Sequence, residues 1–236
     1  MVGIVNVSLG TQLPVHSLSL VVNATSTATT ITIPASALPD DFAILCDRSS
    51  STSGIPNPVT PTGWNSIAGG AATSSFSGGV RSSITYKQLV SGDPGSTITG
   101  MPAGSGGTVS KIMLIVRPLY KRSVIQFSPG GFSLTTTAFN STATTVTNNT
   151  IGSTTLNLNN AALAIALYAT QASSITNRGS TGPYTMTEVA GATANTHYLK
   201  YYTANYGTNF SNNETISITT AAATRIVLLS GIITIK

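Results

Sequence analysis

The sequence predicts an all-β protein of β-sandwich or jelly-roll type, with two similar sandwich units. Three observations carry this. Short runs rich in Val, Ile and Thr recur along the whole chain, and clusters of Gly, Pro, Asn and Ser such as "SGDPG" and "ASALPDD" separate them. Helix-period apolar patterns are hard to find, and the helix formers Glu, Lys and Gln are scarce. The third observation is that the order of motifs in the first half recurs in the second.

In chain order the first half offers "HSLSLVV", "TTITIP", "DFAILCD", "RSSITYKQLV", "STITGM" and "KIMLIVRPL" as strands. The second half offers "SVIQF", "GFSLTTTAF", "TTLNL", "ALAIALYAT", "YTMTEV", "THYLKYYT", "ETISIT" and "TRIVLLSGIITIK". Alternation in "SITYKQL" and "YLKYY" predicts strands with one wet face, whereas "IMLIV" and "RIVLL" read as strands covered on both faces. The segment "AAATRIVLLSGIITI" is too short for a membrane span and carries Arg225, so it reads as a buried strand.

The repeat emerges when one half is laid over the other. "STATTITI" answers "STATTVTN", "DDFAILCD" answers "NAALAIALYA", and "TPTGWNSIAGGA" answers "STGPYTMTEVAGA". "ITYKQLV" then answers "HYLKYYT", "STITG" answers "ETISI", and "SKIMLIV" answers "TRIVLLS". Six correspondences in one order predict an internal duplication. Its expected limits are an N-terminal arm over 1–16, one repeat over 17–122 and a second over 123–236. The short join "LYKRSVIQF" permits two separate sandwiches or one larger one.

Charged residues make up only 7% of the chain, against about a quarter in an ordinary soluble protein. With 41% apolar residues the chain is too hydrophobic to be disordered, so its polar surface must be built from Ser, Thr, Asn and Gly. Such a surface, with a net charge of only +5, gives little mutual repulsion and suits a protein that lives in an assembly. The basic residues are scattered apart from "RPLYKR", which reads as a solvated linker, and no basic stripe interleaved with aromatics predicts nucleic-acid binding.

No catalytic signature is found. Asp40 and Asp41 adjoin at a loop-to-strand step, where solvation explains them, and their counterparts Asn159 and Asn160 cannot ionise. His16 and His197 have no second ligand or nucleophile motif nearby, and His197 is expected at a surface or interface. The pool of two His, one Cys and six carboxylates offers no metal pattern, and Cys46 reads as a small buried hydrophobe. No enzyme activity, cofactor or metal is expected. The candidate contact surface for a protein or glycan is the tyrosine group Tyr198, Tyr201, Tyr202 and Tyr206. Trp64, in "TPTGW", and Tyr184, in "STGPY", hold matching places in the two repeats and are expected to plug the ends of the sandwiches.

The series "ITIPASALPDDFAILCD", "TPTGW", "SSITYKQLVSGDPGSTITGM" and "SKIMLIVRPL" resembles a pattern in bacteriophage virion structural proteins of the β-sandwich minor tail or head decoration type. This chain has "DD" where that pattern has "GD". The resemblance covers residues 28–119 well and the remainder weakly. It implies a non-enzymatic virion protein assembled in the host cytoplasm, with other virion proteins as partners. The favoured expectation is a capsid decoration or cement protein on the head exterior, against the major capsid protein, acting as a homo-oligomer such as a trimer, without nucleic acid or membrane partners. The alternative is a tail, neck or fibre component that contributes to binding a host glycan. A bacterial surface or pilus module is a third reading, against which the missing secretion signal counts.

Overall fold

The computed structural model describes residues 18–54, 56–73, 78–118, 132–138, 145–151, 154–155, 161–182, 185–193, 195–204, 209–210 and 214–235. They form strands and no helix. In the first half these are β1 (Leu18–Ser26), β2 (Thr30–Thr32), β3 (Phe42–Ser51), β4 (Asn65–Thr73), β5 (Gly79–Gln88), β6 (Thr97–Thr99) and β7 (Val109–Pro118). In the second they are β8 (Phe132–Ala138), β9 (Thr145–Ile151), β10 (Thr154–Thr155), β11 (Ala161–Thr170), β12 (Ile175–Thr181), β13 (Thr187–Ala190), β14 (His197–Ala204), β15 (Asn209–Phe210), β16 (Glu214–Thr220) and β17 (Arg225–Ile235). The expected strand "SVIQF" lies outside the described residues.

Two five-stranded antiparallel sheets dominate, in the orders β1-β7-β3-β5-β4 and β8-β17-β11-β14-β13. In both, the half's first strand pairs with its last, and the long apolar strand β3 or β11 lies at the centre. Smaller sheets accompany each one, β2-β6 in the first half and β12-β16-β9 in the second.

Side-chain alternation sorts the core into layers. Phe42, Ile44 and Cys46 of β3 and Ile112, Leu114 and Val116 of β7 point one way, into a cluster shared with Leu163, Ile165 and Leu167 of β11 and Val227 and Leu229 of β17. The two large sheets therefore meet face to face across a core to which both halves contribute, and the open question of separate or shared sandwiches resolves to a shared central one. The intervening residues point outward. Ala43, Leu45, Met113 and Ile115 are covered by Ile31, Ile33, Trp64 and Leu89, while Ala164, Ala166, Ile226 and Leu228 are covered by Ile175, Ile216 and Ile218. With a covering layer on each outer side, β7 and β17 are apolar on both faces, as their sequences predict.

Candidate functional site

The "TPTGW" turn closes with the Trp64 N–H donating to the Pro61 carbonyl at 3.0 Å. Gly63 takes φ +78°, a left-handed conformation that glycine adopts without strain. The turn delivers the indole under the β2-β6 layer, where Trp64 is 7% exposed among Ile33, Leu89 and Met113. It is a packing group of the outer core. Its counterpart Tyr184 lies outside the described residues.

Strand β14 carries three of the four tyrosines, and the period of two divides them. Tyr198 and Tyr202 face the outer core of the second half, whereas Tyr201 packs against the central core. Tyr198 is buried, donates to Asn195 Oδ1 at 2.8 Å, and lies 3.9 Å under the Arg178 guanidinium, a cation–π contact. Tyr201 and Tyr202 are half-buried on opposite faces, so the described tyrosines do not converge on one contact surface. Tyr206 lies outside the described residues.

The most unusual chemistry lies inside. Arg48 is fully buried on the inner face of β3. Its Nε and Nη2 donate to the Thr170 carbonyl at 2.9 and 2.6 Å, Nη2 also to the Gln171 carbonyl, and Nη1 to Thr108 Oγ1 at 2.6 Å. Gln171 reciprocates, its Nε2 donating to the Ser51 carbonyl at 2.7 Å. These bonds clasp the end of β3 to the end of β11 across the two sheets. Burial pulls the Arg48 guanidinium down to about 10, which still leaves it charged at neutral pH.

Beside this clasp, His197 Nδ1 lies 3.1 Å from Ser110 Oγ, both side chains fully buried. The expectation of a surface His197 is corrected: it starts β14 on the inner face, the face of Leu199 and Tyr201. Burial, then the positive charges of Arg48 and Lys111, push its pKa well below the usual histidine value, so the imidazole is neutral. A histidine and a serine at this distance have the spacing of a base and a nucleophile. Here Ser110 Oγ also accepts the Thr193 N–H at 3.3 Å, and neither side chain is open to solvent. The Nε2 atom is left buried without a partner.

A buried charge pair sits on the opposite face of the first sheet. Lys111 Nζ lies 2.5 Å from Asp47 Oδ1, with both side chains at most 1% exposed. At the sheet's other end Arg117 Nε donates to Asp41 Oδ1 at 2.7 Å, and Asp41 is 2% exposed. Solvation at a strand edge therefore does not account for Asp41. It is a buried acceptor that also takes the Leu38 N–H at 2.8 Å. Arg117, from the expected solvated linker, is its partner.

Arg48, Asp47, Ser110 and Lys111 were not singled out by sequence. The available signal was the position of "DR" and "SK" against unbroken apolar runs in a chain so poor in charge. On the surface, a depression of about 380 Å³ is lined by Leu38, Pro39, Asp40, Arg117 and Pro118, and a shallower one by Thr27, Thr29, Thr108 and Thr193. No group of three metal-ligating side chains occurs among the described residues. Compared with known proteins, the chain matches no family model, no curated protein and no solved structure.

Proposed function

We propose that the protein is a non-enzymatic structural component of a bacteriophage virion, acting as a capsid decoration or cement protein on the head exterior. The observation that supports this reading is where the few charges go. Four of the six acidic residues are in ion pairs, Asp41–Arg117, Asp47–Lys111, Asp93–Lys87 and Glu188–Arg178, and the first two carboxylates are buried. Arg48 is spent on backbone carbonyls, Arg81 donates to the Pro56 carbonyl and Lys200 to the Arg178 carbonyl. A surface of hydroxyls and amides with so little free charge packs against neighbours at a low desolvation cost.

The equivalent strand orders of the two large sheets support the internal duplication, since β1, β7, β3, β5 and β4 correspond in turn to β8, β17, β11, β14 and β13. On this reading two fused copies present a rigid, roughly two-faced block to the capsid, and a homo-oligomer such as a trimer fits a symmetric lattice. The tail, neck or fibre reading rests on the partial exposure of Tyr201 and Tyr202. Gel densitometry of purified virions separates them. Hundreds of copies per particle support decoration, and a few dozen or fewer move the protein to the tail or neck.

A further inference from the structure

We propose that Asp47 and Lys111 condense into an isopeptide bond, making a covalent strap between β3 and β7. The residues are directly opposite each other on neighbouring antiparallel strands. Their reacting groups are 2.5 Å apart and sealed from water. Two backbone bonds match the product better than they match an ion pair. The Met101 N–H donates to Asp47 Oδ2 at 3.2 Å, and the Met101 carbonyl accepts from Lys111 Nζ at 3.1 Å. One donor for a carbonyl oxygen and one acceptor for an N–H is the full requirement of a secondary amide.

Gly100 closes the site, because a Cβ there would fall on the Asp47 carboxylate and the Lys111 amine. Burial pushes the Asp47 carboxyl up, against the opposing pull of the Lys111 charge and of the hydrogen bonds from Lys111 and Met101. Passing one proton from Lys111 Nζ to Asp47 Oδ1 gives a carboxylic acid and a free amine, which is the reactive pair, since a desolvated lysine amine is a nucleophile.

The step balances without a co-reactant. One proton moves from Nζ to Oδ1. The Nζ lone pair then adds to Cγ, the Cγ–Oδ1 bond breaks, and the hydroxyl leaves with one of the remaining amine protons as water. Oδ2 becomes the amide oxygen and keeps the Met101 N–H, while the last Nζ proton keeps the Met101 carbonyl. No atom changes oxidation state, and exclusion of water slows the reverse hydrolysis. The strap would close a loop of 64 residues. This inference stands independently of the proposed role in a virion.

The test is intact-mass spectrometry of the full chain, kept folded at neutral pH, followed by a tryptic map. The expected mass is below the sequence value by one water, roughly 18 Da. Trypsin should fail to cut after Lys111 and should release a branched peptide joining the segment that ends at Arg48 to the one running through Lys111. The Lys111→Arg variant, which keeps the cation but cannot form this amide, should have the full mass. Full mass in the wild type with ordinary cleavage after Lys111 overturns the proposal. So does a water loss that maps elsewhere or persists in Lys111→Arg. Where that variant does not fold, the wild-type peptide map decides alone.

Discussion

Replacing Arg48 by methionine keeps much of the side chain's volume and removes every hydrogen bond that Arg48 contributes to the clasp. The variant leaves the Thr170 and Gln171 carbonyls and the Thr108 hydroxyl facing a buried apolar group. Hydrogen bonds to a charged donor contribute about 1.5–3 kcal/mol each, and orphaned acceptors cost about 1–3 kcal/mol. Against this stands relief from the desolvation cost of a buried cation, several kcal/mol. Arg48 has several acceptors and is held at both ends of its fork, so the balance favours the wild type by about 3 kcal/mol. For a chain of this length that corresponds to a fall in Tm of about 6–12 °C, measured by circular dichroism. Combining the change with Gln171→Met should reveal coupling of about 1 kcal/mol, because both side chains span the same seam. An Arg48→Met protein as stable as the wild type would refute the reasoning, showing the guanidinium to be a net cost that the sheets tolerate.

Two further outcomes follow from buried groups. His197 has a folded-state pKa well below its usual value of 6.5, caused first by burial and then by Arg48 and Lys111. Its contribution to stability is therefore complete above about pH 6.5 and is lost as pH falls below that value. Urea midpoints measured from about pH 7.5 down to about pH 5 should drop in the wild type and drop less in His197→Asn; equal slopes would contradict the buried neutral imidazole. Trp64→Ala should cost about 3–5 kcal/mol by urea denaturation followed by circular dichroism, since the indole is nearly buried. A loss under about 1 kcal/mol would mean that the outer layer collapses around the gap or that the indole is exposed.

Local pattern revealed the strands that are apolar or β-branched and failed where strands are made by their neighbours. "DFAILCD" was legible as a strand, but β3 continues through Arg48 to Ser51, with all ten residues buried. A charge at the end of an apolar run looks like a strand terminus, and only partners 64 and 122 positions away make Asp47 and Arg48 tolerable inside. Strand β4, "NSIAGGAAT", was not predicted, because glycine and alanine carry no β signal. It exists as an edge strand paired along β5. Strand β12, "ITNRGST", reads as a loop by sequence because Asn, Arg, Gly and Ser interrupt its β-branched residues, and it gains its place by pairing with β16. His197 was expected outside because its strand is aromatic and alternating. The alternation suggests one wet face, but both faces of β14 are covered, Leu199 and Tyr201 by the opposing sheet and Tyr198 and Tyr202 by the outer layer, and neither layer is visible in the strand's own residues. Ser110, its partner, is 87 positions away.

The pairing of each half's first strand with its last also sets a timetable for synthesis. Leu18–Ser26 emerges from the ribosome early but finds its hydrogen-bonding partner only when Val109–Pro118 has been made. At about 5–20 residues per second that is a wait of several seconds with an open strand edge. Phe132–Ala138 repeats the wait for Arg225–Ile235. The inner faces of the first sheet, meanwhile, have nothing to pack against until the second sheet arrives. The nascent chain thus passes through a window in which a finished but half-naked sheet is exposed, and the scarcity of charge that suits the finished surface offers it little protection from its neighbours on a polysome.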